Sequence, residues 1–415
     1  MQTASVMTRA SRSLQRTFVS LHSPNYRLWF IGQLVSLVGT WMQATAQGYL
    51  MFELTKSPAF LGYVGFASGL PSWLFTLYGG VIADRMSRRT LMVITQSAMM
   101  VLAFLLAGLV FTGRILPWHI IAIALALGVA NAFDAPARQA FVVELVDRDD
   151  LTNAIALNAT MFNAAVVVGP AIAAAVYALL GPAWCFTING LSFIAVIVAL
   201  LLMKLAPQAS QPKRSSALSQ LKEGLRYTSA HPTIRAIILN LGMISLFGVS
   251  ILTLLPAWSV DILGGDVKTN GLLLSARGIG SLTGALLIAW LGQRQPRGRM
   301  WTIGSLMMPV VLAVFAIARW LPLSMVAMMG LGWAFMVQAN ISNSLVQTAV
   351  PDALRGRVMG IYTLVFFGAM PLGSLLAGGG AHWLGESGIV LFCAVVLALT
   401  AALIWLRLPS MRKLT

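Results

Sequence analysis

Long apolar stretches separated by short polar connections constrain most strongly how this chain can fold. A helix needs about 20 predominantly apolar residues to cross a bilayer, and twelve stretches satisfy this requirement, at residues 27–51, 60–83, 90–111, 117–136, 153–179, 183–203, 234–257, 270–291, 300–318, 322–347, 356–379 and 386–407. A soluble domain carries about 25% charged residues, whereas this chain of 415 residues carries 10%. The pattern predicts an all-α membrane protein with twelve transmembrane helices.

The basic residues collect in every second connection. The net charge is +16, which by itself could indicate a nucleic-acid partner. However, 23 of the 28 Lys and Arg residues fall on one side of the predicted helices, four fall on the other side, and Arg277 lies within a helix. This is the positive-inside pattern of membrane proteins. It predicts cytoplasmic termini, contacts with membrane lipids and no nucleic-acid partner.

Two related segments indicate an internal repeat. The first runs from Asn131 to Gly169-Pro170, and a weaker copy runs from Asn340 to Pro371-Leu-Gly373. Pro170 and Pro371 are 201 residues apart (371 minus 170), which is close to half of the chain. Membrane proteins built from two similar halves place their substrate site between them. We therefore expect two pseudo-symmetric halves of six helices each.

The repeat and the apolar pattern divide the chain into five segments. The connection after the sixth predicted helix opens Pro/Ser-rich and continues as an amphipathic stretch, which is typical of a helix on a membrane surface. The predicted segments are a cytoplasmic N-terminal tail (1–24), an N-terminal six-helix half (25–203), a cytoplasmic linker with an amphipathic helix (204–233), a C-terminal six-helix half (234–407) and a cytoplasmic C-terminal tail (408–415).

A charged motif joins the second and third predicted helices. It consists of Gly80, which permits close helix approach, Asp84, which can cap a neighbouring helix, and the basic residues Arg85, Arg88 and Arg89. This spacing resembles the Gly-x-x-x-Asp-Arg-x-Gly-Arg-Arg/Lys signature of the major facilitator superfamily, with Ser87 in place of the second glycine. In that superfamily the motif holds the cytoplasmic side closed.

Further landmarks narrow the resemblance to the enterobactin-exporter-like branch, also called transmembrane secretion effectors. They are residues 25–30, 133–141, 153–158, 169–170, 223–227 and 351–359. The branch often has an arginine in its Phe-Asn-x-Ala-Arg run, which here reads Phe162-Asn-Ala-Ala165 without one. The resemblance implies a monomeric, proton-coupled exporter in a bacterial inner membrane. It also implies that Gly169 and Pro170 line the interface between the halves, and we assign Pro371 and Gly373 a related conformational role.

Polar residues inside the predicted helices are candidates for a substrate cavity. A stripe of them follows one face of the first helix, at Gln33, Ser36, Thr40, Gln43 and Gln47. Such a stripe must face protein or water, so it either lines a cavity or holds helices together by hydrogen bonds. Further candidates for the cavity are Asn131, Asn158, Asn163, Arg277, Gln338 and Asn340.

Two charged positions leave two interpretations open. Asp134, with Arg138 four residues later, is either a proton carrier inside the membrane or a latch that pairs with arginines. Arg277 either binds an anionic substrate or extends to the outer interface. We favour the latch for Asp134, and the two possibilities for Arg277 stay open.

The sequence excludes several classes of function. It contains neither a nucleophile–base arrangement nor a nucleotide-binding glycine loop. Its two cysteines and four histidines form no metal-ligand spacing, so we expect no enzyme, cofactor or metal site. The predicted function is proton-coupled export of an amphipathic small molecule, either a siderophore-like compound or a drug, by alternating access. An importer of a small metabolite or a lipid flippase on the same fold is the alternative.

Overall fold

The computed structural model describes residues 18–204, 217–291 and 297–408. Every regular element in these ranges is a helix, which confirms the all-α prediction. The long helices of the first part are α1 (Pro24–Thr55), α2 (Pro58–Arg85), α3 (Arg88–Phe111), α4 (Pro117–Phe141), α5 (Leu151–Leu180) and α6 (Pro182–Leu202). They are followed by α7 (Ala217–Ala230), α8 (Pro232–Phe247), α9 (Val267–Leu291), α10 (Arg297–Ile317), α11 (Leu321–Ala349) and the helical residues Asp352–Arg407.

The helices extend a few residues beyond the predicted apolar stretches. Six of them have a proline in the first turn, at Pro24, Pro58, Pro117, Pro182, Pro232 and Pro322. The first turn of a helix tolerates proline because its N–H groups have no partner within the helix. Hydropathy marks the part of a helix that contacts lipid, whereas the prolines mark where the helix begins.

The helical residues Asp352–Arg407 form two helices separated by Gly385. This glycine has φ 70°, which lies outside the helical region, and glycine adopts positive φ without steric cost. We name residues 352–384 α12 and residues 386–407 α13. The break falls between the last two predicted stretches.

Helix α8 continues into an irregular segment. After Gly248 the chain forms a 3-10 turn (Val249–Leu254), a short α-helical turn (Leu255–Ala257) and a π-helical turn (Trp258–Ile262). Pro256 lies in this segment and has no N–H to donate to the helical ladder. The wide π turn restores helical hydrogen bonding after the proline.

Nine helical stretches in the described residues are long and apolar enough to cross a membrane. The stretch Asp352–Arg407, which contains both α12 and α13, counts as one of the nine. Helices α1 and α2 are not among them, although their 32 and 28 residues exceed the length that crossing needs. The described residues thus form an all-helical membrane protein, and the number of twelve spans stays a prediction.

The helix ends gather at two ends of the bundle. At one end, which we call the basic end, Asn25 bonds to the backbone of Lys204 and Arg89 bonds to the carbonyl oxygen of Leu201. At the other end, which we call the opposite end, Phe60 contacts Trp118 and Phe111 contacts Trp184. Helices α1, α3, α5, α8, α10 and α12 run from the basic end to the opposite end.

Helix α7 forms within the predicted linker. Its Gly224 packs against the carbonyl oxygen of Arg357, at the beginning of α12, and Glu223 pairs with the Arg357 guanidinium. Leu221 and Tyr227 contribute to the apolar cluster around α8 and α12, whereas Leu225 is exposed. The helix is therefore fixed to the basic end of α12.

Candidate substrate cavity and helix interfaces

The polar stripe of α1 is divided between two environments. Gln33, Ser36, Gln43 and Gln47 are buried, and Thr40 is exposed. The Oε1 atom of Gln43 accepts a hydrogen bond of 2.7 Å from Nδ2 of Asn189 on α6. Gly39, one turn before Gln43, lies against the same asparagine. This part of the stripe joins α1 to α6 by a hydrogen bond between helices. Thr40 is the member of the stripe that is exposed.

The remaining polar cavity candidates differ in exposure. Asn131 and Asn340 are exposed, and Asn158 and Asn163 are half-buried. The amides of Asn163 and Asn340 each donate to a carbonyl oxygen one turn earlier in their own helix, at 2.9 and 3.0 Å. Their side chains are therefore satisfied locally but remain accessible. The assignment of these residues to a substrate cavity stays a prediction.

Gln338 is buried rather than accessible. Its Oε1 lies against Gly304 of α10, and neither of its amide atoms has a hydrogen-bond partner in the described residues. A buried polar group without a partner costs free energy. Gln338 therefore belongs to the packing between α10 and α11 in this conformation.

A hydrogen-bonded cluster surrounds the buried side chain of Asp134. Its Oδ1 accepts from Thr95 at 2.9 Å and from Gln96 at 3.1 Å, both on α3. Its Oδ2 lies 3.9 Å from Nε of Arg138 on the same helix. These contacts join α4 to α3, and the assignment of Asp134 to a latch stays a prediction. The two α3 partners are residues that the sequence analysis did not identify.

The charged motif between α2 and α3 holds the basic end of the N-terminal helices. Arg88 donates to Oε1 of Glu144 at 2.6 Å and to the carbonyl oxygen of Ala140 at 3.2 Å. Arg88 therefore joins the beginning of α3 to the end of α4. The side chains of Asp84 and Arg85 lie outside the described part, so their predicted latch contacts stay predictions.

The close helix approach in this motif is seen at Gly79. The carbonyl oxygen of Ala132 on α4 lies against Gly79, whereas no described residue lies within 4 Å of a Cβ added at Gly80. The close approach to α4 is therefore found one position before Gly80, and the expected role of Gly80 stays a prediction. The two residues point about 100° apart on a helix, so hydropathy and motif spacing could not decide which one meets α4.

The Gly169-Pro170 pair connects α5 to two different helices. Gly169 packs against α1, where an added Cβ would lie 2.5 Å from Cβ of Trp41. The carbonyl oxygen of Pro170 lies against Gly271 of α9, where an added Cβ would be 2.8 Å away. Such close contacts need glycine on one side.

The Pro371–Gly373 segment of α12 makes the corresponding pair of contacts. Gly373 packs against the Leu246 carbonyl oxygen and Ser250, both in α8 and its continuation, and Pro371 packs directly against Gly69 of α2. Further towards the opposite end, Gly62 of α2 lies against Gly378 of α12. The conformational residues predicted from the repeat thus lie at two helix pairs, α5 with α9 and α2 with α12.

The α2–α12 pair has an open cleft on one side of its close contacts. The cleft has a volume of about 270 Å³, lies on the basic-end side of the Gly69–Pro371 contact, and its lining includes Trp73, Thr363 and Phe367. On α5, Thr160 and Phe162 are exposed two to three turns before Pro170, towards the same end. The α2–α12 contact is therefore close towards the opposite end and leaves a cleft towards the basic end.

Polar and apolar contacts join helices at the opposite end. The Tyr177 hydroxyl of α5 hydrogen-bonds to Glu53 of α1, and its ring makes an edge contact with Tyr49 at 5.3 Å. Pro256, in the segment after α8, packs against Gly48 of α1. These contacts join α1 to α5 and to the segment after α8.

A row of aromatic side chains lies along the C-terminal helices at mid-depth. The guanidinium carbon of Arg277 on α9 is 6.0 Å from the ring centre of Phe335 on α11. Phe335 stacks on Phe366 of α12, with centroids 6.0 Å apart and planes 22° apart. Phe366 contacts Phe367 at 4.9 Å, and Phe367 lines the cleft with Trp73 of α2.

One member of this row is visible in the sequence. Arg277 is conspicuous there because it is a basic residue inside an apolar stretch. The phenylalanines lie in apolar stretches that contain many such residues, and no signal in the sequence separates them from lipid-facing ones. Trp41 packs against Phe162 of α5, and the Trp333 carbonyl lies against Gly284 of α9.

A family model matches nearly the whole chain. The model describes the "Transmembrane secretion effector" family and matches residues 15–415. Among curated proteins, the Multidrug efflux pump Tap of Mycolicibacterium fortuitum is 28% identical over 358 residues, which cover 83% of this chain and 86% of the relative. The Staphyloferrin A transporter of Staphylococcus aureus is 25% identical over 354 residues, covering 84% and 88%. The Enterobactin exporter EntS of Escherichia coli O9:H4 is 25% identical over 381 residues, covering 90% and 89%.

Solved transporter structures share the fold. A bacterial homolog of the human lysosomal transporter Spinster, in an inward-facing and unoccupied conformation, superposes with a TM-score of 0.73 at 14% identity and covers 94% of this chain and 97% of the other. The nucleoside transporter NupG superposes with a TM-score of 0.74 at 14% identity and covers 94% and 100%. At this level of identity the likeness shows the fold alone.

Proposed function

The chain belongs to the transmembrane secretion effector family of major facilitator transporters, and on this premise we propose that it exports an amphipathic small molecule. Membership of this family makes the chain a membrane transporter and not an enzyme. The names of its relatives include two siderophore transporters and a multidrug efflux pump. We carry over from them the class of cargo, a siderophore-like compound or a drug, and the outward direction.

The paired contacts of the Pro170 and Pro371 segments support a bundle of two six-helix halves. In each case a glycine packs on the first helix of its own half, and a proline packs on a glycine in the second helix of the other half. The two glycine partners, Gly69 and Gly271, are 202 residues apart, which matches the spacing of the prolines. The same displacement relates both contacts, as a pseudo-two-fold axis requires. We therefore propose twelve spans, with α1–α6 in one half and α8–α13 in the other.

Transport proceeds by alternating access between these halves. The single observation that carries this mechanism is the asymmetry of the α2–α12 interface, which is closely packed at Gly62–Gly378 and Gly69–Pro371 and has a cleft on the basic-end side of these contacts. Rocking of one half against the other would open the opposite end and close the cleft. The Spinster homolog with the similar fold is in an inward-facing conformation, which fits this assignment if the basic end is cytoplasmic.

The distribution of charge assigns the basic end to the cytoplasm. Lys and Arg concentrate at this end, and the positive-inside rule places such ends on the cytoplasmic side. Both termini then lie in the cytoplasm of a bacterium, with the chain in its inner membrane. The cleft is accessible from the compartment in which an exported compound is made.

The proton gradient is the proposed energy source. Glu53 on α1 and Asp134 on α4 are the carboxylates that we would test as carriers of the coupling proton. Asp134 is surrounded by hydrogen-bond donors and lies 3.9 Å from the Arg138 Nε, so we assign it to the latch. We expect the transporter to act as a monomer.

Efflux from energised cells or inverted vesicles tests the proposed function. A panel of catecholate and carboxylate siderophores and amphipathic drugs would be measured with and without a protonophore. We expect one class of compound to leave the cell only while the gradient is intact. Import of a panel member, or movement of labelled lipid between leaflets, would instead favour the importer or the flippase.

A further inference from the structure

Arg277 is a half-buried basic residue within α9. Its Nε atom is buried and has no hydrogen-bond partner in the described residues. The face of Phe335, 6.0 Å from the guanidinium carbon, compensates only part of a desolvated charge. A guanidinium offers five donors, and a buried donor without a partner is costly. At least one donor of this cation, the Nε–H, is therefore left unsatisfied inside the helix bundle.

The position of Arg277 is fixed by close packing between α9 and α11. Gly332 of α11 packs directly on the carbonyl oxygen of Arg277, and the Ser281 hydroxyl donates to the carbonyl oxygen of Gly332 at 3.3 Å. Gly280 of α9 packs in turn on the carbonyl oxygen of Met329. Because both helix backbones meet here, the backbone at Arg277 is fixed, and this position lets its side chain extend over Phe335.

The guanidinium points into the bundle and not towards the nearer interface. Arg277 lies ten residues, about 15 Å, from the beginning of α9 at the opposite end. Phe335 lies 14 residues, about 21 Å, from the beginning of α11 at the same end. A side chain that extended to the opposite interface would leave Phe335 behind. The contact with Phe335 therefore places the charge near the middle of a hydrocarbon layer about 30 Å thick.

We infer that Arg277 and the row of Phe335, Phe366 and Phe367 form a subsite for a substrate that carries an anionic group on a flat aromatic body. The anion would complete the hydrogen bonding of the guanidinium, and the body would stack along the phenylalanines towards Trp73 and the cleft. This inference rests on the proposed transport function. It adds the sign of the charge and the shape of the attached group.

Binding to the purified full-length protein tests the subsite without requiring transport. The probe is naphthalene-1-sulfonate, compared with 1-naphthylmethylamine, 1-naphthalenemethanol and octane-1-sulfonate, which change the charge or remove the rings. Affinity would be measured by isothermal titration in lipid nanodiscs. We expect the aromatic anion to bind at least about tenfold more tightly than each of the other three, because a charge-assisted hydrogen bond and ring stacking each contribute on this scale.

Variants separate the charge from the rings. Arg277→Gln should weaken the binding of naphthalene-1-sulfonate by about tenfold or more and leave the affinity for 1-naphthalenemethanol unchanged. Arg277→Lys should retain the preference for the anion. Phe335→Leu should reduce the advantage of naphthalene-1-sulfonate over octane-1-sulfonate. Arg114→Gln, which removes an exposed arginine at the opposite end, is the matched control and should bind like the wild type.

Several results would overturn the inference. They are equal binding of the anionic and cationic naphthalenes, absence of any binding by the anion, and unchanged affinity in Arg277→Gln. Failure of the exporter proposal would look different. If the protein binds aromatic anions selectively but exports no compound, the subsite inference holds and the export proposal is wrong. If the protein exports compounds in a gradient-dependent manner but shows no preference for anions, the export proposal holds and the subsite inference is wrong.

Discussion

At the scale of single residues, the contacts of Asp134 bear on two functions that the sequence left open. Asp134 accepts two side-chain hydrogen bonds from α3, and its Oδ2 lies 3.9 Å from Nε of Arg138. These contacts join α4 to α3, which is what a latch would do. A proton carrier would instead have to bind and release a proton during the transport cycle. We propose that Asp134 acts as the latch.

The substitution Asp134→Asn tests this role. The amide would place donors against Gln96 and leave Arg138 without a counter-charge, at a cost of about 1–3 kcal/mol. We expect a lower melting temperature and an equal loss of gradient-driven efflux and of substrate exchange measured without a gradient. Normal exchange combined with abolished efflux would instead identify Asp134 as the proton carrier.

Asp147→Asn provides a matched control for this experiment. Asp147 is an exposed aspartate in the connection after α4, close to the same end of the bundle. Its substitution removes the same charge but breaks no buried contact. We expect both the melting temperature and the exchange rate to remain within error of the wild type.

At the scale of helices, glycines determine how closely the two sides of the bundle meet. Gly169 packs on α1, and an added Cβ would approach Cβ of Trp41 to 2.5 Å. Gly169→Leu should therefore reduce transport several-fold by separating α5 from α1, while membrane insertion is retained. Insertion would be measured by cell-surface and membrane-fraction quantification. Unaltered transport would show that this contact is not needed for conformational change.

The interface between α5 and α9 gives a second prediction at this scale. Gly271→Leu would force α9 away from the Pro170 carbonyl and from Ala174, where an added Cβ already lies 2.5 Å from the Ala174 Cβ. We expect the opposite end to open, so that cysteines introduced there become more reactive to a membrane-impermeant thiol reagent. Gly108→Leu on α3, where open space surrounds the glycine, is the control and should not change reactivity.

Hydropathy located the helices well and their contacts poorly. Each of the twelve predicted apolar stretches coincides with a helical segment to within a few residues, because lipid exposure imposes a length and composition that a sequence records directly. The sequence does not record in this way which helix a given helix face contacts. Gln43 was placed on a polar stripe, but only the structure shows that Asn189 of α6 faces it. The displacement from Gly80 to Gly79 has the same cause.

The aromatic row shows the same limit for the candidate site. Arg277 is conspicuous because one charge in an apolar stretch needs an explanation. Phe335, Phe366 and Phe367 are ordinary residues of transmembrane helices, and their alignment depends on how α9, α11 and α12 pack. A property that arises from three helices together has no signature in any one of them.

At the scale of the whole molecule, the proposed mechanism depends on opposite movements at the two ends. Towards the opposite end, α2 packs on α12 and α5 packs on α9. Towards the basic end, a cleft lies between α2 and α12, and Thr160 and Phe162 of α5 are exposed. Because the halves are proposed to move as units, opening one end requires closing the other. This reciprocity distinguishes alternating access from a local gate, which would change one end only.

Distances between spin labels at the two ends test this claim most directly. One pair would join exposed Gln139 at the end of α4 to exposed Thr348 near the end of α11, and the other would join exposed Lys56 to exposed Lys268 at the opposite end. Both distances would be measured by pulsed electron paramagnetic resonance in nanodiscs, at acidic and at neutral pH, and with the compound found by the efflux assay. Alternating access predicts that whenever the 139–348 distance shortens, the 56–268 distance lengthens. Distances that change together, or a change confined to one end under every condition, would contradict it.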